Sequence, residues 1–191
     1  MISVKIVSAL FELAGDTKSL YRRYISSRGL KILEVSTGFG INTYTLLKLI
    51  ESLGGLLVSI DIDPRMIDRA RRIFREYVDK KILRLEVADA EKLPYEDNTY
   101  DLVVSHTTLH HINNLDKALG EMIRVLKPDG KIIIIDLNPI RLLSIIPGHR
   151  PRDLSKTRVR VVRYLRENTV VLEKGGGGVF YYVVASKRET L

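Results

Sequence analysis

The 191-residue chain contains no cysteine, no tryptophan and no glutamine. Without thiols it has no disulfide, no thiolate zinc centre and no cysteine nucleophile, a composition that suits a reducing compartment. The expectation is a cytoplasmic protein without a bound metal. Acidic residues are also in short supply: 23 Asp and Glu stand against 31 Lys and Arg, a formal net charge of +8. That balance favours anionic partners such as RNA or an acidic small molecule, although a basic solvated surface gives the same total. Long uncharged apolar runs are missing as well. Lys5 and Glu12 interrupt the N-terminal one, so neither a signal peptide nor a membrane span is expected. The length suits one core and leaves no room for a separate substrate domain, so residues 1–191 read as a single domain.

What is present is organised around KILEVSTGFGINT, residues 31–43. Ile32, Leu33 and Val35 read as a buried strand that delivers an acid, Glu34. Gly38 and Gly40 follow, and Leu46, Leu47, Ile50 and Leu53 then recur at helical spacing. A strand, a glycine turn and a helix start bring backbone N–H groups close to a ligand, and the helix N-terminus favours anionic or polar atoms. Tight turns without a ligand also carry such glycines, so context decides. A second apolar run, LLVSI, ends in Asp61, where an open α/β sheet presents a carboxylate to ribose hydroxyls.

The rest of the chain alternates. Ile2, Ile6, Leu10 and Leu13 predict a first helix ended by Gly15, and Asp16 or Thr17 caps a second that runs to about Gly29. Together they form an N-terminal helical cap over 1–29, with Tyr21 and Tyr24 close to the first strand. Asp63 and Pro64 start a helix whose buried stripe is read as Met66, Ala70, Ile73 and Tyr77, with Arg65, Arg69, Arg71, Arg72 and Arg75 on its outer face. ILRLEVAD gives a third strand and Tyr100–Ser105 a fourth, followed by the loop HTTLHHI. A helix with Ala118, Met122 and Val125 closes at a Lys127–Gly130 turn. KIIIIDL, β-branched throughout, then reads as a central strand buried on both faces. Pro139, Pro147, Gly148 and Pro151 loosen the pattern over 138–166, the expected substrate-shaping insertion, before a basic helical segment. TVVLEK and VFYYVVASK form a closing hairpin joined by Gly175–Gly178.

This order of features resembles the class I S-adenosylmethionine-dependent methyltransferases, in particular their small-molecule and quinone-type branch. The likeness is carried by EVSTGFG, SIDIDPRMIDRA, the Asp89-Ala90 pair, LPYEDNTYDLVVS and RVLKPDGKIII. It implies a Rossmann-like, doubly wound α/β fold, a mainly parallel seven-stranded sheet with a C-terminal antiparallel hairpin. It also implies S-adenosylmethionine as cofactor. By the resemblance the donor site comprises Glu34, Ser36, Gly38, Gly40, Asp61, Ile62, Asp89, Ala90 and Ser105. Asp61 looks like the acid that holds the ribose, Asp89-Ala90 like the pair that reads adenine, and the Gly38–Gly40 backbone like the cradle of the methionine end. Ser36 stands where the family usually has glycine.

A nicotinamide dehydrogenase is the first rival, but its fingerprint needs a small residue where Thr43 stands. An RNA-binding or regulatory module that keeps the fold without catalysis is the second. A sulfonium is already an activated electrophile, so methyl transfer needs alignment first and a base only for a protonated acceptor. His106, directly after the fourth strand, is the candidate base; His110 and His111 read as helix-start or core residues. Asp136 and Asn138 offer too few oxygens for a metal site. The acceptor is expected to be a small or anionic molecule, with RNA as the alternative suggested by Arg141, Arg150, Arg152, Lys156, Arg158, Arg160, Arg163 and Arg166.

Overall fold

The computed structural model describes residues 17–139 and 151–188. The expected helix over 2–14, and Arg141 and Arg150, lie outside the described residues. Seven strands form one sheet: β1 (Lys31–Val35), β2 (Leu56–Asp61), β3 (Leu83–Val87), β4 (Tyr100–His106), β5 (Leu126–Leu137), β6 (Thr169–Gly177) and β7 (Phe180–Lys187), in the spatial order β3-β2-β1-β4-β5-β7-β6. β1 to β5 pair in parallel, and β7 runs antiparallel to both β5 and β6. The sheet reverses its order at β1 and β4, the place where an open α/β sheet opens a crevice at its C-terminal edge.

Apolar parity along the strands fills both faces. Ile32, Leu57, Leu102 and Ile133 pack under α1 (Thr17–Tyr24), α2 (Ile41–Ile50) and α3 (Pro64–Ile73). Leu33, Val58, Val103, Ile132 and Ile134 pack under α5 (Leu115–Arg124) and α6 (Pro151–Asn168). The five-residue α4 (Arg75–Asp79) lies between α3 and β3.

Three local outcomes differ from the sequence pattern. Helix α1 stops at Tyr24, five residues short of Gly29. The buried stripe after Asp63 is Ile67, Ala70, Phe74 and Tyr77, whereas Ile73 is 42% exposed and Met66 half-buried. The helix breaks at Phe74, whose backbone leaves the helical region at φ −107° and ψ 23°; Ala70 and Tyr77 are buried as expected, while Ile67 and Phe74 replace Met66 and Ile73. The expected basic helical segment is a regular crossover helix over Pro151–Asn168. Finally, Gly175–Gly177 belong to β6 rather than to the turn, leaving Gly178 and Val179 to connect the hairpin. A Cβ at Gly175 would stand 2.7 Å from the Tyr182 hydroxyl and one at Gly176 2.5 Å from the Phe180 carbonyl, so the glycines are needed for strand packing.

The Lys127–Gly130 turn survives as a bulge within β5. Its register against β4 jumps between Tyr100 and Leu102, and Asp129 has φ 59°. Around it, Arg124 donates to Glu121, Asp97 and the carbonyls of Leu93 and Tyr95, which fixes the long loop between β3 and β4.

Candidate functional site

At the C-terminal ends of β1 and β2 a cavity of about 520 Å³ opens, lined by Ser36, Asp61, Ile62, Asp89, Ala90, Thr107, Thr108 and His111 among others. Each wall follows from its strand. Asp61 ends β2, and its carboxylate accepts the Gly38 N–H through Oδ2 (2.8 Å) and the Asp63 N–H through Oδ1 (3.0 Å). One carboxylate therefore fixes both the glycine turn and the start of α3, where Asp63 caps the helix by accepting the Arg65 N–H. Ionised carboxyl oxygens have about four acceptor sites, so Asp61 keeps capacity for further donors. Asp89 accepts the Glu91 N–H (2.8 Å) and so shapes the turn after β3.

Ile62, beside Asp61 on the cavity wall, is 69% exposed. An apolar side chain left open next to a ribose-type carboxylate fits a planar apolar ligand face, since burying it would recover hydrophobic free energy. Carboxylates from two neighbouring strands, an uncovered isoleucine and a glycine turn make a donor set suited to a nucleoside.

Five of the expected site residues, Ser36, Asp61, Ile62, Asp89 and Ala90, line this cavity, whereas Glu34, Gly38, Gly40, Ser105 and His106 do not. Glu34 is wholly buried: Oε1 accepts from Asn42 Nδ2 (2.8 Å), and Oε2 accepts from Thr43 Oγ1 and Ser59 Oγ (both 2.6 Å). Its carboxyl ties β1, β2 and α2 together behind the turn, and burial pushes its pKa up to about 7. Gly40 stands at φ 81° as the N-cap of α2, and a Cβ there would come 2.7 Å from the Phe74 ring. Ser105 is buried in β4, with no hydrogen-bond partner for Oγ among the described residues. Ser36 has φ 74°, a costly backbone for a non-glycine residue, and its Oγ reaches Asp61 Oδ2 only at 3.4 Å.

His106 sits behind the cavity, its ring 5.4 Å from that of Phe180 and Nδ1 3.2 Å from Thr107 Oγ1. Burial lowers its pKa to about 4, so the imidazole is neutral at ordinary pH and a weak proton acceptor. The sequence reading missed a better organised histidine. His110 Nδ1 lies 2.6 Å from Asp136 Oδ1, with side-chain exposures of 2% and 1%. Asp136 also accepts the Leu137 N–H (2.8 Å) and the His110 N–H (3.2 Å). With Nδ1 turned to Asp136, the other ring nitrogen, Nε2, is a buried atom. The neighbouring His111 stacks 4.0 Å from His110 and lines the cavity. Parity offered a signal: parallel pairing of His106 with Ile135 brings the loop after β4 beside the end of β5.

A methyltransferase domain model matches residues 33–134. Over 142 residues the chain is 31% identical to a ubiquinone/menaquinone biosynthesis C-methyltransferase UbiE of Idiomarina loihiensis, which covers 69% of this chain and 56% of that protein. It is 32% identical over 130 residues to a demethylmenaquinone methyltransferase of Lactobacillus johnsonii, with 66% and 53% covered. The chain thus spans about half the length of these curated relatives. Among solved structures, a SAM-dependent methyltransferase from Aquifex aeolicus superposes with a TM-score of 0.79 at 23% identity, 96% of each chain being covered. The C-methyltransferase domain of the citrinin polyketide synthase does so with a TM-score of 0.71 at 20% identity, over 85% of this chain and 47% of that one. These two share the fold. The chain belongs to the class I S-adenosylmethionine-dependent methyltransferases.

Two outcomes follow from the geometry. Ser36→Gly removes a positive-φ penalty and only a long hydrogen bond, so unfolding free energy rises by about 1 kcal/mol; a fall in chemical denaturation would show that the hydroxyl contact dominates. Glu34 has a folded pKa raised above its unfolded value, so the folded state holds the extra proton. Stability contributed this way is complete below pH about 4.5 and declines as pH rises towards about 7. The decline is on the order of 3 kcal/mol. Denaturant titrations across that window should show it in the native chain and not in Glu34→Gln; parallel profiles would contradict the assignment.

Proposed function

We propose that this protein transfers a methyl group from S-adenosylmethionine to a small-molecule acceptor, with the 520 Å³ cavity as the donor site. The observation that carries the reading is Asp61, held by Gly38 and Asp63 N–H groups beside the uncovered Ile62. In this reading Asp61 accepts the ribose hydroxyls, Asp89 and Ala90 meet the adenine edge and Ile62 its face. Ser36 and the Gly38–Gly40 backbone border the amino-acid end. Glu34, Ser105 and Gly40 act from behind by shaping the turn and strand ends.

When bound, the donor supplies an electrophilic methyl group on sulfur, so the protein's tasks are alignment, exclusion of water and removal of any acceptor proton. For that last task the dyad is favoured over His106. Asp136 holds the His110 ring through Nδ1, which leaves the buried Nε2 as the atom that would take the proton, whereas the surroundings of His106 lower its basicity. A base matters most for carbon or phenol acceptors, and the Idiomarina loihiensis relative is named a C-methyltransferase. No ligand-type cluster of three or more His, Cys, Asp or Glu occurs among the described residues, and the reading uses no metal.

Calorimetry with S-adenosylhomocysteine tests the donor site. The native chain binds it and not NAD, and Asp61→Ala weakens binding by about 1–3 kcal/mol, the scale of hydrogen bonds to a charged group. NAD binding without any response to the homocysteine product would sink the reading. The base is tested with an acceptor identified by labelled donor. His110→Ala then lowers kcat by about 100-fold or more, with S-adenosylhomocysteine affinity unchanged, and Asp136→Asn does so by less. A larger loss in His106→Asn would return the role to His106.

A further inference from the structure

A second cleft, of about 780 Å³, lies between α6 and the β6–β7 hairpin, next to Pro139 at the end of β5. Its charge is one-sided: Arg158, Arg163, Arg166 and Lys174 line it against a single acid, Glu167. Two other cations of α6 have partners, Arg160 with Asp116 (2.7 Å) and Lys156 with Asp153 (4.0 Å). No ion pair engages the four cleft cations among the described residues. Arg158 donates one hydrogen bond, to Asn138 Oδ1 (3.0 Å), and its guanidinium stands 5.3 Å from the centroid of the Tyr181 ring. That leaves most of a five-donor planar fork without an acceptor among the described residues.

The cleft also has an apolar and a polar element that packing leaves unused. Val159, 65% exposed, forms part of its wall. Tyr181, only 2% exposed, lines the cleft too, and its hydroxyl is buried without a hydrogen-bond partner among the described residues. A buried hydroxyl left unsatisfied is costly, and a ligand acceptor atom would relieve it. The cleft is joined to the chemistry by the sheet itself. Tyr181 pairs in register with Asp136, whose carboxylate holds His110, next to His111 on the donor-cavity wall.

Building on the methyl-transfer reading, we propose that this cleft is the acceptor subsite for a small amphiphilic acid. Its carboxylate or phosphate is taken by Arg158 and Arg163, its apolar body lies along Val159, and its reacting end points towards the His110–Asp136 dyad. Arginine forks give two-point contacts to such anions. An acid of this class is delivered by an enzyme that leaves a free carboxylate or phosphate on an otherwise apolar molecule, and methylation elsewhere on it preserves that handle.

The test uses the full chain saturated with S-adenosylhomocysteine, titrated calorimetrically with 2-naphthoate and with the uncharged 2-naphthol. Naphthoate should bind at least about tenfold more tightly, and the Arg158→Gln/Arg163→Gln double variant should lose about that factor while keeping its affinity for S-adenosylhomocysteine. Tyr181→Phe supplies a control against simple unfolding. Its melting temperature should be unchanged or higher, because the lost hydroxyl had no internal partner, while naphthoate binds several-fold more weakly. Equal binding of acid and alcohol, or an unaffected double variant, overturns the proposal. So does displacement of naphthoate by bulk RNA with a steep salt dependence, which would mark a nucleic-acid surface. Repeating the naphthoate titration without the homocysteine product separates the two readings. Failure of that product to bind removes the acceptor role and the donor site together, while retained acid discrimination then shows that only the methyl-transfer reading has failed.

Discussion

A single buried carboxyl, that of Glu34, holds the architecture of the donor cavity. Its three partners come from different places, Asn42 and Thr43 at the start of α2 and Ser59 within β2. Burying an acid costs several kcal/mol unless hydrogen bonds offset it, and here three donors do so from elements that must each sit in register to reach it. The glycine turn between Val35 and Ile41 therefore has both ends fixed before any ligand arrives. Ser59 extends the link through a 2.7 Å contact to Thr37, whose own N–H is donated to the Ile60 carbonyl at 2.8 Å. The turn is set from behind by Glu34 and from in front by Asp61, and the N–H groups of Thr37, Gly38 and Gly40 are bonded to Ile60, Asp61 and Thr37, so its shape does not wait for induced fit.

Much of this was legible in the sequence for a physical reason. Parallel strands covered on both faces read as unbroken apolar runs, and their loops at one edge carry the turn residues, so the strands and their ligand-facing edge could be placed from LLVSID, YDLVVS and KIIIIDL. Asp61, Ile62, Asp89 and Ala90 were found because a strand's end fixes where the next residues emerge. Glu34 was misread as a ligand-facing acid because its position at a strand end resembles theirs. Alternation along β1 carries the correction: Glu34 shares its face with Ile32, which packs beneath α2, whereas Leu33 and Val35 face the opposite layer. The exchange of Met66 and Ile73 for Ile67 and Phe74 in the α3 stripe came from treating Asp63–Tyr77 as one helix, when Phe74 ends it. The His110–Asp136 contact spans 26 residues and exists only through β4–β5 pairing, so no local pattern announces it.

The dyad links residues that border the two cavities. On one side His111, Thr107 and Thr108 border the donor cavity; on the other, Tyr181 borders the basic cleft, with Asp136 paired to it across β5 and β7. Thr107 is itself strained, at φ 52°, and its Oγ1 and that of Thr108 both donate to the His106 carbonyl. These bonds curl the chain back on leaving β4 and aim the following turn, Leu109–His111, at the end of β5. Strain at such a loop persists only when surrounding contacts over-determine it, and the N–H of Thr107 bonded to Ile135 is one of those contacts.

The hairpin contributes to this border by a different means. β7 is the only strand that runs against the rest, so its first residues, not its last, stand at the edge where β5 ends. Phe180 consequently reaches the C-terminal edge, with Tyr181 after it, from 42 residues further along the chain than Asn138, whose Nδ2 donates to the carbonyls of Gly178 and Phe180. Had β7 been parallel, Lys187 would stand there instead. Antiparallel closure thus places two aromatic side chains beside His106 and Asp136, and the glycine strip of β6 keeps the adjoining strand bare enough for Tyr182 and Tyr181 to pack against it. The reversal of one strand is what turns a plain sheet edge into a walled acceptor mouth in the reading proposed above.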